Sequence, residues 1–454
     1  MTPRAAWRDD YRSWGRVIPA RHLVSRPSTA DEATQLMGAG GQSLLGRGNG
    51  RSYGDQPLND GERLVDMRGL DRFVAFDHQS GILTCEAGLQ LADILAVLCQ
   101  AENGGSAWFL PVAPGTRYVT VGGAIANDVH GKNHHCAGTF GRHVLSFDLA
   151  RSDGLVLTCT PHENAELFAA TIGGMGLTGL ILRATVQLRR VVGLALEAED
   201  IRFDHLDEFF DLAKESDQPW EYTVAWIDSM ASGRRSGRGI FSRARHTAAP
   251  GRAAARQPKM TFPPGLPMSL ATPATIRAFN ALYVRKLGSA QRRRRDHVNY
   301  EPVLFPLDAI GAWNRLYGRP GFFQFQGVVP AGLADAALRE LLAVIEASGQ
   351  GSFLAVMKLF GDLPSPGLLS FPMRGATLAL DLPDLGEPTR QLMARLEQVV
   401  IAAQGRIYAA KDGLMKRASM EAGYPALDRF RASIDPAIAS DFARRTILPP
   451  PLPA

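Results

Sequence analysis

The residues with the clearest chemical potential lie in one stretch, residues 120–135. Two adjacent glycines, Gly122 and Gly123, have no Cβ, so a ligand or another backbone segment can approach closely. His130, His134 and His135 follow, and histidine side chains can donate, accept or change charge near neutral pH. The stretch is typical of a cofactor-contacting backbone that leads into a titratable site. A glycine-rich turn followed by a polar loop is the structural alternative.

A second glycine-rich segment lies upstream, within residues 43–55. Its glycines at positions 46, 48, 50 and 54 prevent regular structure and permit positive φ angles. Successive backbone N–H groups in such a loop form an anion-binding concavity. Arg47 and Arg51 add positive charge that suits a pyrophosphate. The alternative is a glycine-rich hairpin turn with two solvated arginines.

The composition is that of a globular protein with two or three domains. The chain has 454 residues, of which 45% are hydrophobic and 21% charged, so wholesale disorder is excluded. The four cysteines lie far apart without a CxxC pair, which indicates neither a metal site nor a disulfide framework. The first residues lack an apolar signal segment, and no apolar run is long enough to span a membrane. We therefore expect a cytoplasmic or peripheral membrane protein.

Much of the formal net charge of +5 arises between residues 231 and 297, where arginine, glycine, alanine and proline dominate. We interpret much of this segment as a mobile loop or lid. Its arginine clusters suit a lipid phosphate and an anionic membrane surface. Nucleic-acid binding is the competing interpretation, but the clusters lack interleaved aromatic residues, so no nucleic-acid partner is expected. The arginines are Arg234, Arg235, Arg238, Arg243, Arg245, Arg252, Arg256 and Arg292, Arg293, Arg294, Arg295.

The elements that must position these residues alternate between short strands and helices. A helix is predicted over residues 89–100, and a hairpin over residues 144–159 with its turn at Ser152-Asp-Gly154. A strand is predicted through residues 303–305 and another over 321–329, where Gln324 and Gln326 share one face. The order indicates an α+β protein rather than a doubly wound parallel sheet.

One motif suggests a different fold and is rejected. Gly174, Gly176 and Gly179 match the dinucleotide-binding pattern G-x-G-x-x-G, which requires a strand before the glycines and a helix after them. Here a helical segment precedes the glycines, and a β-rich segment over residues 180–188 follows them. The reversed order excludes a Rossmann-type site.

Three segments together resemble a known family: residues 46–55, 114–135 and 405–412. They are similar to FAD-dependent oxidoreductases of the vanillyl-alcohol-oxidase type, which have a PCMH-type FAD domain, and within that group to the decaprenylphosphoryl-β-D-ribose 2′-oxidases. The resemblance implies a two-domain α+β fold. Residues 1–195 would form the FAD-binding domain, and residues 196–404 a substrate domain built on an antiparallel sheet flanked by helices. Residues 405–454 would return to complete the FAD domain.

The resemblance also implies the cofactor contacts. The first glycine loop would wrap the FAD pyrophosphate, Ile181 would meet the adenine, and Tyr408 would close over the flavin. Many relatives hold FAD covalently through a histidine in the first loop; Arg51 stands at that position here, so non-covalent FAD is expected. The implied cofactor-binding residues are Gly46, Arg47, Gly48, Asn49, Gly50, Arg51, Ser52, Tyr53, Gly54, Asp55, Gln56, Gly115, Thr120, Val121, Gly122, Gly123, Asn127, Asp128, Val129, His130, Ile181 and Tyr408.

The implied reaction oxidises a secondary alcohol, the 2′-hydroxyl of a polyprenyl-phosphoryl-β-D-ribose, to a ketone, with the flavin as the redox group. Lys411 is the implied polar partner at the reacting carbon, as a base or as a charge clamp. His130 and Tyr53 would complete the catalytic group. Mycobacterial relatives carry an asparagine and a cysteine on the strand where Thr377 and Ala379 stand here, so this chain lacks that thiol. The implied substrate-binding residues are Gln324, Gln326, Lys358 and Thr377.

Partners follow from the same resemblance. An NAD(P)H-dependent short-chain reductase would act as the second epimerase subunit and return the ketone as the arabinose donor for cell-wall arabinan. The lipid-linked sugar phosphate implies peripheral contact with a membrane. Two alternatives stay open: an FAD-dependent alditol or aldonolactone oxidase of a soluble sugar, and a non-catalytic scaffold that lacks FAD.

Overall fold

The computed structural model describes residues 4–38, 41–100, 105–249, 260–287 and 292–449. Three main sheets form the framework, and helices cover their outer faces. Two of the three strand pairs in the first sheet are parallel, whereas the second and third sheets are antiparallel. This mixed arrangement confirms the predicted α+β class.

The first sheet has four strands and ends at the first glycine loop. Strands His22–Ser25 and Leu44–Arg47 both pair parallel with Arg63–Asp66. Two strands that run in the same direction need a crossover, and helix Ala30–Gly38 supplies it. The glycine loop therefore leaves from the end of the edge strand Leu44–Arg47. The strand order is Ala6–Arg8, His22–Ser25, Arg63–Asp66, Leu44–Arg47.

The second sheet is antiparallel, with Leu180–Gln187 at its centre. The predicted hairpin is confirmed: Val144–Ala150 pairs with Val156–Cys159, and the turn between them contains Gly154 at φ +85°. Helix Val121–Ala126 packs beside this sheet, where Val121, Ala124 and Ile125 join its core. The strand order is Phe73–Asp77, Ile82–Glu86, Leu180–Gln187, Val144–Ala150, Val156–Cys159.

The third sheet is the largest, with eight antiparallel strands. Along strand Phe322–Pro330, Phe323 and Phe325 point into the core beneath helices Ala334–Ser348 and Glu387–Ala402. Because strand side chains alternate, the residues between these phenylalanines face the opposite side of the sheet. That side faces a cleft. The strand order is Arg293–Asn299, Ala195–Phe203, Gly239–Thr247, Tyr222–Ile227, Ala355–Phe360, Gly375–Pro383, Phe322–Pro330, Arg406–Ile407.

Shorter elements connect these sheets. Ala107–Phe109 pairs with Arg189–Val191, and Met260–Thr261 pairs with Ile310–Gly311. No helix in the described ranges is long and apolar enough to cross a membrane. The remaining helices are Leu91–Val97, His134–Ala137, Ala165–Thr171, Leu206–Ser216, Pro273–Val284, Tyr300–Leu304, Arg417–Gly423, Leu427–Arg431 and Asp441–Thr446.

The C-terminal segment returns to the first sheet. The Leu44 backbone N–H donates to the Ala437 carbonyl at 2.8 Å. Arg445 donates to Asp55, beside the first glycine loop, and to Asp412, with N–O distances of 2.8 and 2.9 Å. Both carboxylates are buried. The ends of the described chain are thus joined next to the glycine loop.

Two predictions about secondary structure are wrong. Residues 303–305 belong to or follow the short helix Tyr300–Leu304 rather than a strand. The segment 231–297 is not mainly a loop, because it contains strand Gly239–Thr247 inside the large sheet and helix Pro273–Val284. Residues 250–259 and 288–291, with Arg252 and Arg256, lie outside the described residues.

The arginines of this segment are mostly paired with acidic residues rather than free for a lipid phosphate. Arg243 is buried and contacts Glu199 at 2.6 Å. Arg245 contacts Glu197 at 2.8 Å on the same neighbouring strand. The pairing of these two strands therefore neutralises much of the charge that the composition suggested. Similar contacts are made by Arg238, Arg292, Arg293, Arg294 and Arg295.

Candidate functional site

A single elongated cleft contains most of the residues singled out from the sequence. It runs between the two glycine-rich segments on one side and the large sheet on the other, with an empty volume of about 1730 Å³ including its open mouth. The predicted residues that line it are Gly46, Arg47, Gly48, Asn49, Gly50, Arg51, Ser52, Tyr53, Gln56, Gly115, Thr120, Gly122, Gly123, Asn127, Val129, His130, Ile181, Gln324, Gln326, Lys358, Tyr408 and Lys411.

The first glycine loop is packed too closely to carry side chains at its turning points. A Cβ on Gly48 would lie 2.3 Å from Thr120 Oγ1. Gly50 has φ +61°, and a Cβ there would lie 2.0 Å from the guanidinium of Arg47. The bare backbone therefore forms this part of the cleft wall, as an anion-binding loop requires.

Two arginines place positive charge along this loop. Arg47 is buried, donates to the Arg12 carbonyl at 2.8 Å, and has a pKa that burial lowers to about 10. The Arg51 guanidinium lies 4.1 Å from the ring centroid of Trp14, and its buried Nε has no partner among the described residues. Donors left unpaired beside a bare backbone loop suit a pyrophosphate.

The second glycine-rich segment begins helix Val121–Ala126. The Thr120 side chain caps this helix by accepting from the Gly123 N–H at 3.1 Å. At the other end Asn127 donates to the Gly123 carbonyl at 2.9 Å, while its buried Oδ1 has no partner within the described chain. The Tyr408 hydroxyl donates to the Asn127 carbonyl at 2.9 Å. The C-terminal return thus contacts this segment through Tyr408.

The far end of the cleft contains residues that the sequence analysis did not assign. Met175 and Gly176, within the rejected G-x-G-x-x-G motif, line the wall together with Gly179. Met175 and Gly176 both have positive φ, and the Gln56 amide donates to the Met175 carbonyl at 3.2 Å. The helix Ala165–Thr171 precedes the motif and a strand follows it, as predicted. The glycines therefore form a cleft wall without a Rossmann unit, and their density was the available signal.

Five implied site residues do not line the cleft. Val121 points into the core of the second sheet. Gly54 packs against the Asp412 carbonyl, and Asp55 pairs with Arg445. Asp128 is fully buried with φ +39° and accepts from the Gly141 N–H and from the Ser365 and Ser370 hydroxyls. Thr377 lies behind Gln326. All five residues are in contact with other parts of the protein and support the cleft walls from behind.

The reactive end of the cleft brings together residues from three distant segments. The Lys411 ammonium lies 3.9 Å from the ring centroid of Tyr53, and the Tyr53 N–H donates to the Ala410 carbonyl at 3.0 Å. Burial lowers the pKa of Lys411 to about 8, although the Asp381 carboxylate opposes this decrease. Burial also raises the pKa of Tyr53 well above its ordinary value, so the phenol stays protonated. Lys411 can therefore change charge near neutral pH.

Asp381 is a buried carboxylate that the sequence analysis missed. It lies opposite Gln324 on the neighbouring strand, and Gln324 Nε2 donates to its Oδ1. Its Oδ2 has no partner in the described ranges. Burial raises its pKa to about 7, against the effects of Gln324 and Lys411. An aspartate between apolar strand residues carries no distinguishing pattern, so no sequence signal pointed to it.

His130 and Lys358 both line the cleft, and the Phe360 ring lies against each of them. Burial, together with the positive charges of Lys358, His134 and Lys411, lowers the pKa of His130 well below its ordinary value. Burial and two neighbouring lysines lower the pKa of Lys358 to about 7. His130 packs 5.3 Å from the Tyr408 ring and receives a hydrogen bond from Gln326 at 3.1 Å. The site therefore holds two lysines with lowered pKa values beside a neutral histidine.

The residues that line the cleft fit FAD along its whole length. Glycine-lined walls admit a flat group, and unpaired polar atoms on Arg51 and Asn127 lie along it. The amino groups of Lys358 and Lys411 would supply hydrogen-bond donors at one end of a bound flavin. The arrangement can hold a flavin and present a polar pocket to an alcohol.

Comparison with known proteins agrees with this geometry. Residues 22–160 match the model of an FAD binding domain. The chain is 36% identical to the decaprenylphosphoryl-beta-D-ribose oxidase of Mycolicibacterium smegmatis, over 95% of this chain and 96% of that protein. Two sugar-lactone oxidases are more distant relatives. The chain is 26% identical to the D-arabinono-1,4-lactone oxidase of Yarrowia lipolytica, over 48% of this chain and 41% of that protein. The L-gulonolactone oxidase of Mus musculus is 32% identical, over 39% of this chain and 40% of that protein.

The first of these relatives is matched from end to end, whereas the lactone oxidases match less than half of the chain. The glycine loop, the helix Val121–Ala126 and the predicted hairpin all fall inside the matched FAD binding domain. FAD is the cofactor. The chain belongs to the family of FAD-dependent oxidoreductases that includes the decaprenylphosphoryl-β-D-ribose oxidase.

Proposed function

We propose that this protein oxidises the 2′-hydroxyl of a polyprenyl-phosphoryl-β-D-ribose to a ketone. The observation that carries the proposal is the reactive end of the cleft, where Lys411, Gln326 and His130 converge beyond the glycine-lined part. The near full-length similarity to a lipid-linked ribose oxidase supports the same substrate class. The product is the first intermediate of an epimerisation to the arabinose configuration.

The protein's own residues bind the sugar and move its proton. Bound FAD supplies the two-electron chemistry. Lys411, when neutral, accepts the hydroxyl proton, because its lowered pKa leaves a substantial neutral fraction near pH 8. Lys358 offers an amino group, and Gln324 and Gln326 offer amide groups, that orient the sugar. Tyr53 packs against Lys411 and excludes water from one side of it.

FAD is proposed to bind without a covalent bond to the first loop. Arg51 occupies the position expected for a histidine link, and a guanidinium is not a nucleophile for the flavin. Its contacts with Trp14 and Tyr118 instead hold it as a charged wall of the loop.

The domain division is proposed to follow the sheets. The first two sheets lie within residues 1–195, and most of the large sheet is built from residues 196–404. Residues 405–454 contribute one short strand to the large sheet and then return to the first sheet through Ile438 and Arg445.

A lipid-linked substrate calls for contact with a membrane surface, and a set of exposed apolar side chains between residues 260 and 282 supports this. The set consists of Met260, Met268, Leu270, Phe279 and Leu282. Leu270 donates its N–H to the Leu316 carbonyl, three residues from the cleft-lining Trp313. We expect the double change Met268→Ser and Leu282→Ser to reduce cosedimentation with anionic lipid vesicles. The matched control, Leu155→Ser with Val156→Ser, removes exposed apolar residues from the distant hairpin; equal binding by both double variants would refute this contact.

The ketone product calls for a reductase. An NAD(P)H-dependent short-chain reductase is the proposed partner, because reduction from the opposite face of the ketone yields the arabinose configuration. Coupled incubation of both proteins with the lipid-linked ribose should give the epimer, and ketone that persists with NAD(P)H present would contradict this partner.

Two measurements test the function itself. The purified protein should absorb as a flavoprotein and release its yellow colour on acid precipitation; colour that stays with the precipitate contradicts non-covalent binding. A protein that takes up no FAD would instead be a scaffold. Anaerobic addition of polyprenyl-phosphoryl ribose should bleach the flavin and reduce a dye acceptor. If soluble alditols or aldonolactones bleach it and the lipid sugar does not, the protein is a soluble-sugar oxidase.

A further inference from the structure

Two glutamine amides at the reactive end of the cleft are oriented by residues behind them. Gln324 and Gln326 lie on the cleft face of strand Phe322–Pro330, with Cα atoms about 6.6 Å apart by strand geometry. A carboxamide has a donor end and an acceptor end, and its protein partners decide which end faces a ligand. The end left free determines what the ligand must offer.

Thr377 determines the orientation of the Gln326 amide. The single hydroxyl hydrogen of Thr377 goes to the Gly327 carbonyl, 2.8 Å away. Thr377 Oγ1 can then only accept, and the atom that faces it at 3.3 Å is Gln326 Nε2. The nitrogen of the Gln326 amide is therefore turned toward Thr377, which leaves its oxygen for the cleft.

The same amide determines the tautomer of His130. Its second hydrogen reaches His130 Nε2 at 3.1 Å. A neutral imidazole nitrogen that accepts a hydrogen bond carries no hydrogen, so the ring hydrogen is on Nδ1. The one lone pair of the ring is thus occupied by Gln326. His130 is therefore an orienting residue and not the base of the reaction.

Asp381 determines the orientation of the Gln324 amide, as Thr377 does for Gln326. Gln324 Nε2 donates to Asp381 Oδ1 across the strand pair, where the two residues are in register. The Asp381 backbone N–H donates to Ser352 Oγ at 3.1 Å, which anchors the strand at this point. Both glutamines thus turn their nitrogen toward protein and their oxygen toward the cleft.

We propose that Thr377 and Asp381 are positioning residues that make Gln324 and Gln326 a pair of hydrogen-bond acceptors, so the site selects a sugar that donates two hydroxyl groups. This inference rests on the proposed function, since it assigns the ring hydroxyl next to the reacting one and a further hydroxyl of the sugar to the two oxygens, while the single hydrogen of the reacting hydroxyl goes to Lys411. A sugar that lacks the neighbouring hydroxyl leaves a buried acceptor unpaired, and such a loss is penalised strongly.

The first test compares two substrates in three proteins. Thr377→Val removes the hydroxyl at nearly constant shape, and Thr377→Ser retains it. The measured quantity is the ratio of kcat/KM for polyprenyl-phosphoryl ribose to that for its 3-deoxy analogue. We expect the ratio to be preserved in Thr377→Ser and to fall at least fivefold in Thr377→Val, because a freed amide can turn and present its nitrogen. A purely structural role would lower both kcat/KM values and leave the ratio unchanged, which overturns the proposal.

The second test examines the hydrogen bonds among Thr377, Gln326 and His130 in the absence of substrate. Ring ¹⁵N shifts of His130 in the FAD-bound wild type should show the hydrogen on Nδ1, and Thr377→Val should mix the two tautomers. A hydrogen on Nε2 in the wild type overturns the proposal. This outcome can be observed even if the variant does not fold. The two hypotheses stay separable: no oxidation of the parent lipid sugar refutes the proposed function, whereas oxidation with an unchanged ratio refutes only the positioning role.

Discussion

At the scale of single residues, the unusual feature is a lysine that shares its surroundings with a carboxylate without forming an ion pair with it. The Lys411 ammonium lies over the Tyr53 ring, while the Asp381 carboxylate accepts a hydrogen bond from the amide of Gln324. Burial moves the pKa values of Lys411 and Asp381 toward each other, to about 8 and about 7. Groups whose pKa values approach neutrality are suited to proton transfer.

Replacing Lys411 by methionine should remove the proton acceptor while keeping the packing on Tyr53. We expect FAD to stay bound and the rate of flavin reduction by substrate to fall about a hundredfold or more, the range of general-base catalysis. Stopped-flow absorbance measures that rate. Lys416→Met is the matched control, because Lys416 is an exposed lysine outside the cleft. Normal flavin reduction in Lys411→Met would remove this residue from the mechanism.

The pH dependence of kcat/KM separates the two roles considered for Lys411. A base must be neutral, so activity should rise as the pH increases through about 8. A positively charged clamp would give the opposite slope. Because the Asp381 carboxylate raises the pKa of Lys411, Asp381→Asn should move the midpoint to lower pH. A midpoint that does not move would show that another group titrates.

At the scale of elements, the first glycine loop depends on one position that combines strain with close packing. Gly50→Ala adds a Cβ at φ +61° against the Arg47 guanidinium. Gly61→Ala meets similar strain at φ +72°, with nothing within 4 Å of the added atom. Both changes should cost about 1 kcal/mol of stability through strain. Only Gly50→Ala should also weaken FAD binding, which titration of the apoprotein measures; equal affinities in the two variants would contradict a pyrophosphate role for this loop.

Features of the site that depend on neighbouring residues in the sequence could be predicted, and features that depend on distant residues could not. The glycine-rich segments and the alternating face of Gln324 and Gln326 were predictable, since backbone freedom and strand period are local properties. The inward turn of Asp128 was not, because its partners Ser365 and Ser370 lie far along the chain. The same reason explains why Arg243 and Arg245 appeared free, because Glu199 and Glu197 lie on a strand far from them in the sequence.

At the scale of the whole molecule, the two ends of the described chain depend on each other. Arg445 contacts Asp55 and Asp412, two buried carboxylates that would otherwise lie near each other uncompensated. We expect Arg445→Met to lower the free energy of unfolding by about 3 kcal/mol. Arg429→Met, which breaks an exposed pair with Glu166, should change it little. Chemical denaturation of both variants tests this, and similar midpoints would show that the return is held by packing alone.

The hydrogen bond between the Tyr53 N–H and the Ala410 carbonyl has a consequence for how the protein is made. The two residues are separated by most of the chain, and the flavin must fit between the loops that they join. During synthesis, the wall that carries Lys411 leaves the ribosome long after the first glycine loop has emerged. The complete cofactor site therefore forms only after translation has passed residue 411, and a shorter nascent chain has no closed site in which to retain FAD.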